Sequence, residues 1–193
     1  ANGAGDGKTR GWIAALDART GNELWRWYAV PAPGEPGSEA WKDKNQAWKT
    51  GGGGLWQTGS YDPVTKLTIW GTGNPSPSFR GALRPGDNLY TNSVLAVSPK
   101  TGKVVWHYQS TPGDPFDYDG VNEWILAELP VNGGTRKVIM QANRNGYLYV
   151  IERATGKLVA AIGIENGISS VAWTAEKPGG YLVHAAMEYM LMQ

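Results

Sequence analysis

Two short stretches carry the side chains best suited to chemistry. They are Gly71-Thr-Gly-Asn74-Pro-Ser-Pro77 and, some forty residues on, Asp114-Pro-Phe-Asp117-Tyr-Asp119-Gly120. An Asn amide oxygen with two carboxylates is a hard-oxygen set, which suits a calcium-like ion and not zinc. Both stretches follow Trp- and β-rich segments. They therefore read as loops at strand ends, where a rigid sheet presents side chains to a shared point.

The elements that must hold these loops show themselves through a repeated turn. Trp12-Ile-Ala-Ala-Leu-Asp17-Ala-Arg-Thr20-Gly21-Asn-Glu-Leu-Trp25 reads as a strand, a tight Asp-x-x-Thr-Gly turn and a second strand ending in Trp. Asp17 accepts hydrogen bonds from the turn backbone while Gly21 takes a positive φ, which is hairpin chemistry. The pattern returns around Asp62/Thr65 before Trp70, around Ser98/Thr101 before Trp106, and around Glu152/Thr155. The four Thr residues lie 45, 36 and 54 positions apart, the spacing of one β-propeller blade per copy. A single copy is an ordinary hairpin turn; four copies, three closing on Trp, argue for a repeat architecture. Trp25, Trp70 and Trp106 are expected in the core, filling gaps between twisted sheets.

Composition agrees with an all-β chain: 193 residues with 27 Gly, 12 Pro and 10 Trp imply many short strands and tight turns. A net charge of +1 leaves no electrostatic footprint for nucleic acid. The absence of Cys removes disulfides and Cys-ligated metal within this chain. No apolar run is long enough for a membrane span, and the start has no signal-peptide pattern. The chain reads as an internal piece of a longer protein. Pro31 to Gly37 and Gly51 to Gly54 hold too much Gly and Pro for regular structure and are expected as long loops on one face. Gly51 to Gly54 would let backbone approach something closely. Trp56, just after them and outside the repeat, is the aromatic placed to face a ligand. The repeat fades near Ile164. Ser169 to Trp173 could begin a further strand, whereas Ala185 to Met192 looks helical, so the expected division is 1–163 and an unassigned tail, 164–193.

From about residue 4 to 161 the chain resembles the quinoprotein alcohol dehydrogenases, including the methanol dehydrogenases. The resemblance rests on the turn between Trp12 and Trp25, Gly71 to Pro77, Arg84-Pro-Gly-Asp-Asn88, Thr111-Pro-Gly-Asp114 to Gly120, and Asn143-Arg-Asn-Gly146. It implies three to four blades of a periplasmic eight-bladed propeller that uses pyrroloquinoline quinone and a bound metal. It further implies Asn74 as an amide metal ligand and Asp117 as the catalytic carboxylate beside the metal. Arg144 would bind the quinone oxygens, and Trp56 would form the floor under the quinone ring. Asp119 resembles the second Asp of the lanthanide-using branch; calcium is the alternative metal. In an extended segment Asp117 and Asp119 would point the same way, toward one ion. The family's Glu ligand has no counterpart here. Asp6, in Gly3-Ala-Gly-Asp6, is the nearest carboxylate and is kept as a candidate ligand.

The activity so implied is oxidation of a small primary alcohol to an aldehyde, with electrons passing to a cytochrome c-type acceptor. The parent could form a homodimer. Asp114 and Asp87 lie in Pro/Gly-rich turns and are expected to stabilise them. Neither His107 nor His184 is placed as a general base. Two other readings stand beside this one. One is a non-catalytic Trp-repeat propeller scaffold of the outer-membrane assembly type, which has no reason to keep Asn74, Asp117, Asp119 and Arg144 in register. The other is a sugar-oxidising quinoprotein with different metal-site motifs.

Overall fold

A computed structural model describes residues 9–44, 46–131, 133–165 and 168–174. The chain divides into two compact units, residues 1–123 and 124–193. Asp6 and His184, like the run read as helical at 185–192, lie outside the described residues.

The first unit holds a hairpin and a four-stranded sheet. In the hairpin β1 (Trp12–Leu16) pairs antiparallel with β2 (Glu23–Tyr28). The sheet runs β3 (Ser60–Asp62), β4 (Leu67–Gly71), β5 (Ser93–Val97), β6 (Val104–Gln109), each strand antiparallel to its neighbour. Val94, Leu95, Ala96 and Val97 are all fully buried, so β5 is covered on both faces. The second unit is an antiparallel meander, β7 (Ile125–Val131), β8 (Gly134–Ala142), β9 (Tyr147–Glu152), β10 (Leu158–Glu165) and β11 (Ile168–Thr174). β7 alternates, burying Ala127 and Leu129, whereas the central strands are covered on both faces: Val138, Ile139 and Met140 on β8 and Leu148 to Ile151 on β9 are all buried. β11 covers the run from Ser169 to Trp173, and the sheet therefore continues past Ile164.

The repeated turn is built by its own side chains. The Asp17 carboxylate accepts from Arg19 N–H at 3.0 Å, Thr20 N–H at 2.8 Å and Thr20 Oγ1–H at 3.0 Å, and Gly21 sits at φ 73°. Those bonds hold the Asp17 carboxyl below its ordinary pKa, the Thr20 N–H contributing most. Asp62 repeats the arrangement with Val64 N–H and the N–H and hydroxyl of Thr65, and Lys66 takes the positive φ of 61°. Glu152 accepts from Thr155 Oγ1 in the last copy.

One inference from the spacing needs correction. The Asp62 and Ser98 copies join β3 to β4 and β5 to β6, two hairpins of one sheet. The turn is local chemistry that any hairpin can use, so it does not count one copy per blade. Trp25 does pack between sheets: its ring lies against Gly102 in the β5–β6 turn and its Nε1–H donates to Pro99 O at 3.0 Å. Trp106 is buried. Trp70 is half-buried against Ile13, Ala29 and Leu55, but its ring lies on Gly59, the residue leading into β3 of its own sheet.

Candidate functional site

The site is assembled where β4 and β5 release their loops. Thr72 N–H donates to Ser93 O at 2.9 Å, continuing the β4–β5 ladder by one step, and the chain then turns through Gly73 into Asn74. The glycines that precede Trp56 lie beside this turn. Gly53 N–H donates to Asn74 O at 2.9 Å and Gly73 N–H to Gly54 O at 2.8 Å. A Cβ at Gly52 would fall 2.5 Å from Asn74 O. Gly51 to Leu55 are buried, so the close backbone approach expected of these glycines is found, but in an internal seam and not in a long loop on one face. A chain of bare backbone is what fits between two other backbones.

Trp56 follows that seam and lays its ring on Gly73, where a Cβ would stand 2.5 Å from the ring carbons. Gly73 is therefore a flat seat for the indole. Trp56 remains 39% exposed, so part of the ring stays open above that seat. An aromatic plane held from below and open above can carry another planar group.

Asn74 is buried, and its amide nitrogen donates to Pro75 O at 3.2 Å and to the Ser78 hydroxyl. Both amide protons are thus committed, so the side chain can offer a ligand only its oxygen. Its backbone N–H donates to Asp119 Oδ1 at 2.9 Å. Asp119 is itself buried, and the same Oδ1 is 3.2 Å from where a Gly73 Cβ would be. Gly120 N–H donates to Thr72 O at 3.1 Å, which closes the second loop against the first. Asn74, Asp119 and Trp56, read from separate places in the sequence, therefore meet around Gly73.

Asp117 lies two residues before Asp119 in the same loop, half-buried. The loop is not extended, as strand alternation would need. Asp117 and Asp119 have φ of 64° and 61°, both left-handed. Non-glycine residues adopt this region at a cost, on the order of 1–2 kcal/mol each, which Asp tolerates better than most. Asp114 holds the loop in that form. Fully buried, its carboxylate accepts from Phe116 N–H at 2.8 Å, Tyr118 N–H at 2.7 Å and Asn92 Nδ2–H at 2.6 Å. The orientation of the two aspartates comes from this wrapping. Asp114 is the turn-former that its Pro/Gly setting predicted, whereas Asp87 contributes its carbonyl, which accepts from Gly113 N–H at 3.0 Å.

Arg144 belongs to the second unit, exposed in the β8–β9 turn that Asn143 and Gly146 close with a 3.0 Å bond. His107 on β6 stacks edge-on to Tyr90 with ring centroids 4.8 Å apart, and desolvation there lowers its pKa. Among the described residues no three His, Cys, Asp or Glu side chains converge. Of the two candidate acids, Asp119 is tied to Asn74 through the Asn74 N–H, and Asp117 stands two residues before it in the same loop. Arg84, Asn88 and Asn92, all buried, were missed as contributors. Their bonds reach across 22 and 30 residues, and an Arg in a Pro/Gly-rich loop looks solvated by sequence.

The comparisons with known proteins bear on the family and the fold. Residues 2–170 match a quinone (PQQ) family described as the glucose/ethanol/alcohol dehydrogenase β-propeller domain. The chain is 45% identical over 174 residues to quinohemoprotein alcohol dehydrogenase ADH IIB of Pseudomonas putida, covering 83% of this chain and 25% of that one. It is 38% identical over 173 residues to the lanthanide-dependent methanol dehydrogenase of Methylacidiphilum fumariolicum, covering 81% and 28%. Among solved structures it is similar to a europium-containing methanol dehydrogenase, with a TM-score of 0.74 at 37% identity over 81% of this chain and 30% of that one. It spans about a quarter of the length of the curated relatives it matches.

Proposed function

The chain belongs to the pyrroloquinoline quinone-dependent glucose/ethanol/alcohol dehydrogenase β-propeller family, and from that premise we propose that the whole protein oxidises primary alcohols to aldehydes at the Gly73 site. The observation that carries the reading is the Asn74 N–H to Asp119 Oδ1 bond beside the Trp56 ring. It joins a hard-oxygen donor pair to an aromatic platform. The residues present fit both groups. Asn74 can offer only its oxygen and Asp119 is a buried carboxylate, a pairing for a hard cation, while the open part of the indole suits a planar quinone.

Asn74, Asp117 and Asp119 would hold the cation, with Asp6 as a further candidate, and Trp56 would carry the quinone ring. Arg144 is assigned to the quinone oxygens on its motif. When bound, the quinone supplies the two-electron sink and the cation the Lewis acid that polarises it. Asp117 accepts the alcohol's hydroxyl proton on its carboxylate, the step that lets the substrate carbon give up its hydride. Asp119, tied to Asn74, keeps a second negative charge at the cation. Two carboxylates favour a trivalent lanthanide over calcium, and calcium is the alternative. A cytochrome-type electron acceptor and a periplasmic setting complete the proposal; no described helix is long and apolar enough to cross a membrane.

The test is Asp117→Asn in the full-length protein, which is expected to retain the quinone while losing turnover with a dye acceptor. Near-normal turnover would remove Asp117 from the mechanism. A scaffold protein would bind no quinone at all.

A further inference from the structure

Arg84 is fully enclosed, 1% exposed, and its guanidinium spends every N–H it has. Nε donates to Pro77 O at 3.0 Å. Nη1 donates to Asn88 Oδ1 at 2.8 Å and to Gly113 O at 3.3 Å, and Nη2 to Ser78 O at 2.7 Å and to Asp114 O. Four of these five acceptors are backbone carbonyls, and they divide between two loops. Pro77 and Ser78 end the turn that carries Asn74, and Ser78 Oγ also receives the Asn74 amide proton. Gly113 and Asp114 begin the loop that carries Asp117 and Asp119.

The rest of the Arg84 loop works in the same direction. Asn88 returns a bond from Nδ2 to Arg84 O at 2.9 Å, and Asp87 O takes the Gly113 N–H at 3.0 Å. Asn92 links the two loops a second time, through its N–H to Gly73 O at 3.0 Å and its amide to Asp114 Oδ2 at 2.6 Å. Neither loop has regular structure to keep it rigid. Beside the bonds at Asn74, Gly120 and Asn92, the Arg84 guanidinium links them through a planar fork whose donors point in fixed directions.

We propose that Arg84 is a positioning residue that fixes the Asn74 loop against the Asp117/Asp119 loop, so that amide and carboxylate oxygens are held at one spacing for a cation. The inference rests on the reading of Asn74, Asp117 and Asp119 as cation ligands. Arg84 touches no substrate or ion; it acts through the loops. A lysine would keep the charge but has three donors for five acceptors, and so would leave the two loops partly unlinked.

The experiment is terbium(III) titration of the metal-free, full-length protein followed by luminescence, with europium(III) luminescence lifetimes in H₂O and D₂O to count bound waters. Arg84→Lys is expected to weaken terbium binding by about tenfold or more, the usual effect of disturbing groups that orient metal ligands, and to raise the number of bound waters. Asn88→Ser, which removes the Oδ1 acceptor and the Nδ2 donor to Arg84 O, is expected to do the same to a smaller extent and keeps the test open if Arg84→Lys does not fold. Val97→Ala, a loss within the buried β5 strand, should leave both readouts unchanged. Wild-type affinity and hydration in whichever folded variant is measured would overturn the clamp. If the wild-type protein itself binds no terbium, the cation site falls and the clamp with it.

Discussion

Asp17, Asp62 and Asp114 use one device: a carboxylate accepts backbone N–H groups two to four residues ahead and bends the chain around itself. In the hairpins these backbone partners belong to the same turn, and the result is a loop that closes on a paired strand. At Asp114 a third partner, Asn92, comes from 22 residues away, and Arg84 reaches the Asp114 carbonyl from 30. There the bend leads into two left-handed aspartates. The difference teaches that a local turn becomes a site when remote buried groups fix it in a conformation it would not choose alone.

That contrast can be broken most severely at Asp114. Asp114→Ala would leave the buried Asn92 amide and the part-buried Phe116 and Tyr118 N–H groups without their acceptor. At roughly 1–3 kcal/mol for each buried group left unpaired, the loss should be about 3 kcal/mol or more. Denaturant midpoints of the full-length protein would show it, together with loss of metal binding. A variant with wild-type stability and metal affinity would reduce Asp114 to an ordinary turn residue.

A milder effect is expected at Asp62. Its carboxylate is buried, yet the Val64 and Thr65 groups it accepts from lie in an exposed turn, where water can replace part of what is lost. Asp62→Ala should cost about 1–2 kcal/mol, as loss of a capping side chain does, and leave metal affinity as it was. Weakened metal binding would mean that the hairpins and the site are coupled.

Least affected should be the exposed Asp17 turn, with a smaller loss than at Asp62. Its folded pKa is lowered, so its contribution is fully present above the pKa of the unfolded carboxylate and is lost as pH falls through the folded value. Comparing thermal midpoints of wild type and Asp17→Asn should therefore show a gap at neutral pH that closes in acid. A gap that widened in acid would contradict the turn's hydrogen-bonding account.

These cases also explain what was legible in advance. Asp-x-x-Thr-Gly turns could be read because their chemistry lies within five residues, and the strands on either side of them followed from the turns. The motif order brought forward Trp56, Asn74, Asp117 and Asp119, and three of these meet at Gly73. What stayed hidden depends on distant pairing. The run of four glycines announced a close approach of backbone without saying to what, and the Arg84 motif carried no role until five acceptors were found around it. The i, i+2 argument for Asp117 and Asp119 presumed a strand; the buried Asp114 carboxylate makes that segment a left-handed loop instead.

The central claim is that the loops joined at Asn74 and Asp119 form a cation site whose charge selects the metal. Under the proposed function Asp117 and Asp119, with Asp6, would put about three negative charges around one ion, which a trivalent cation would offset better than a divalent one of similar size. The direct measurement is dye-linked alcohol oxidation by metal-free, full-length protein loaded with the quinone and either lanthanum or calcium, in wild type and in Asp119→Ala. We expect wild type to prefer lanthanum and Asp119→Ala to lose activity selectively with lanthanum. Full activity of wild type with calcium and no gain from lanthanum, or equal loss of both metals in Asp119→Ala, would contradict it.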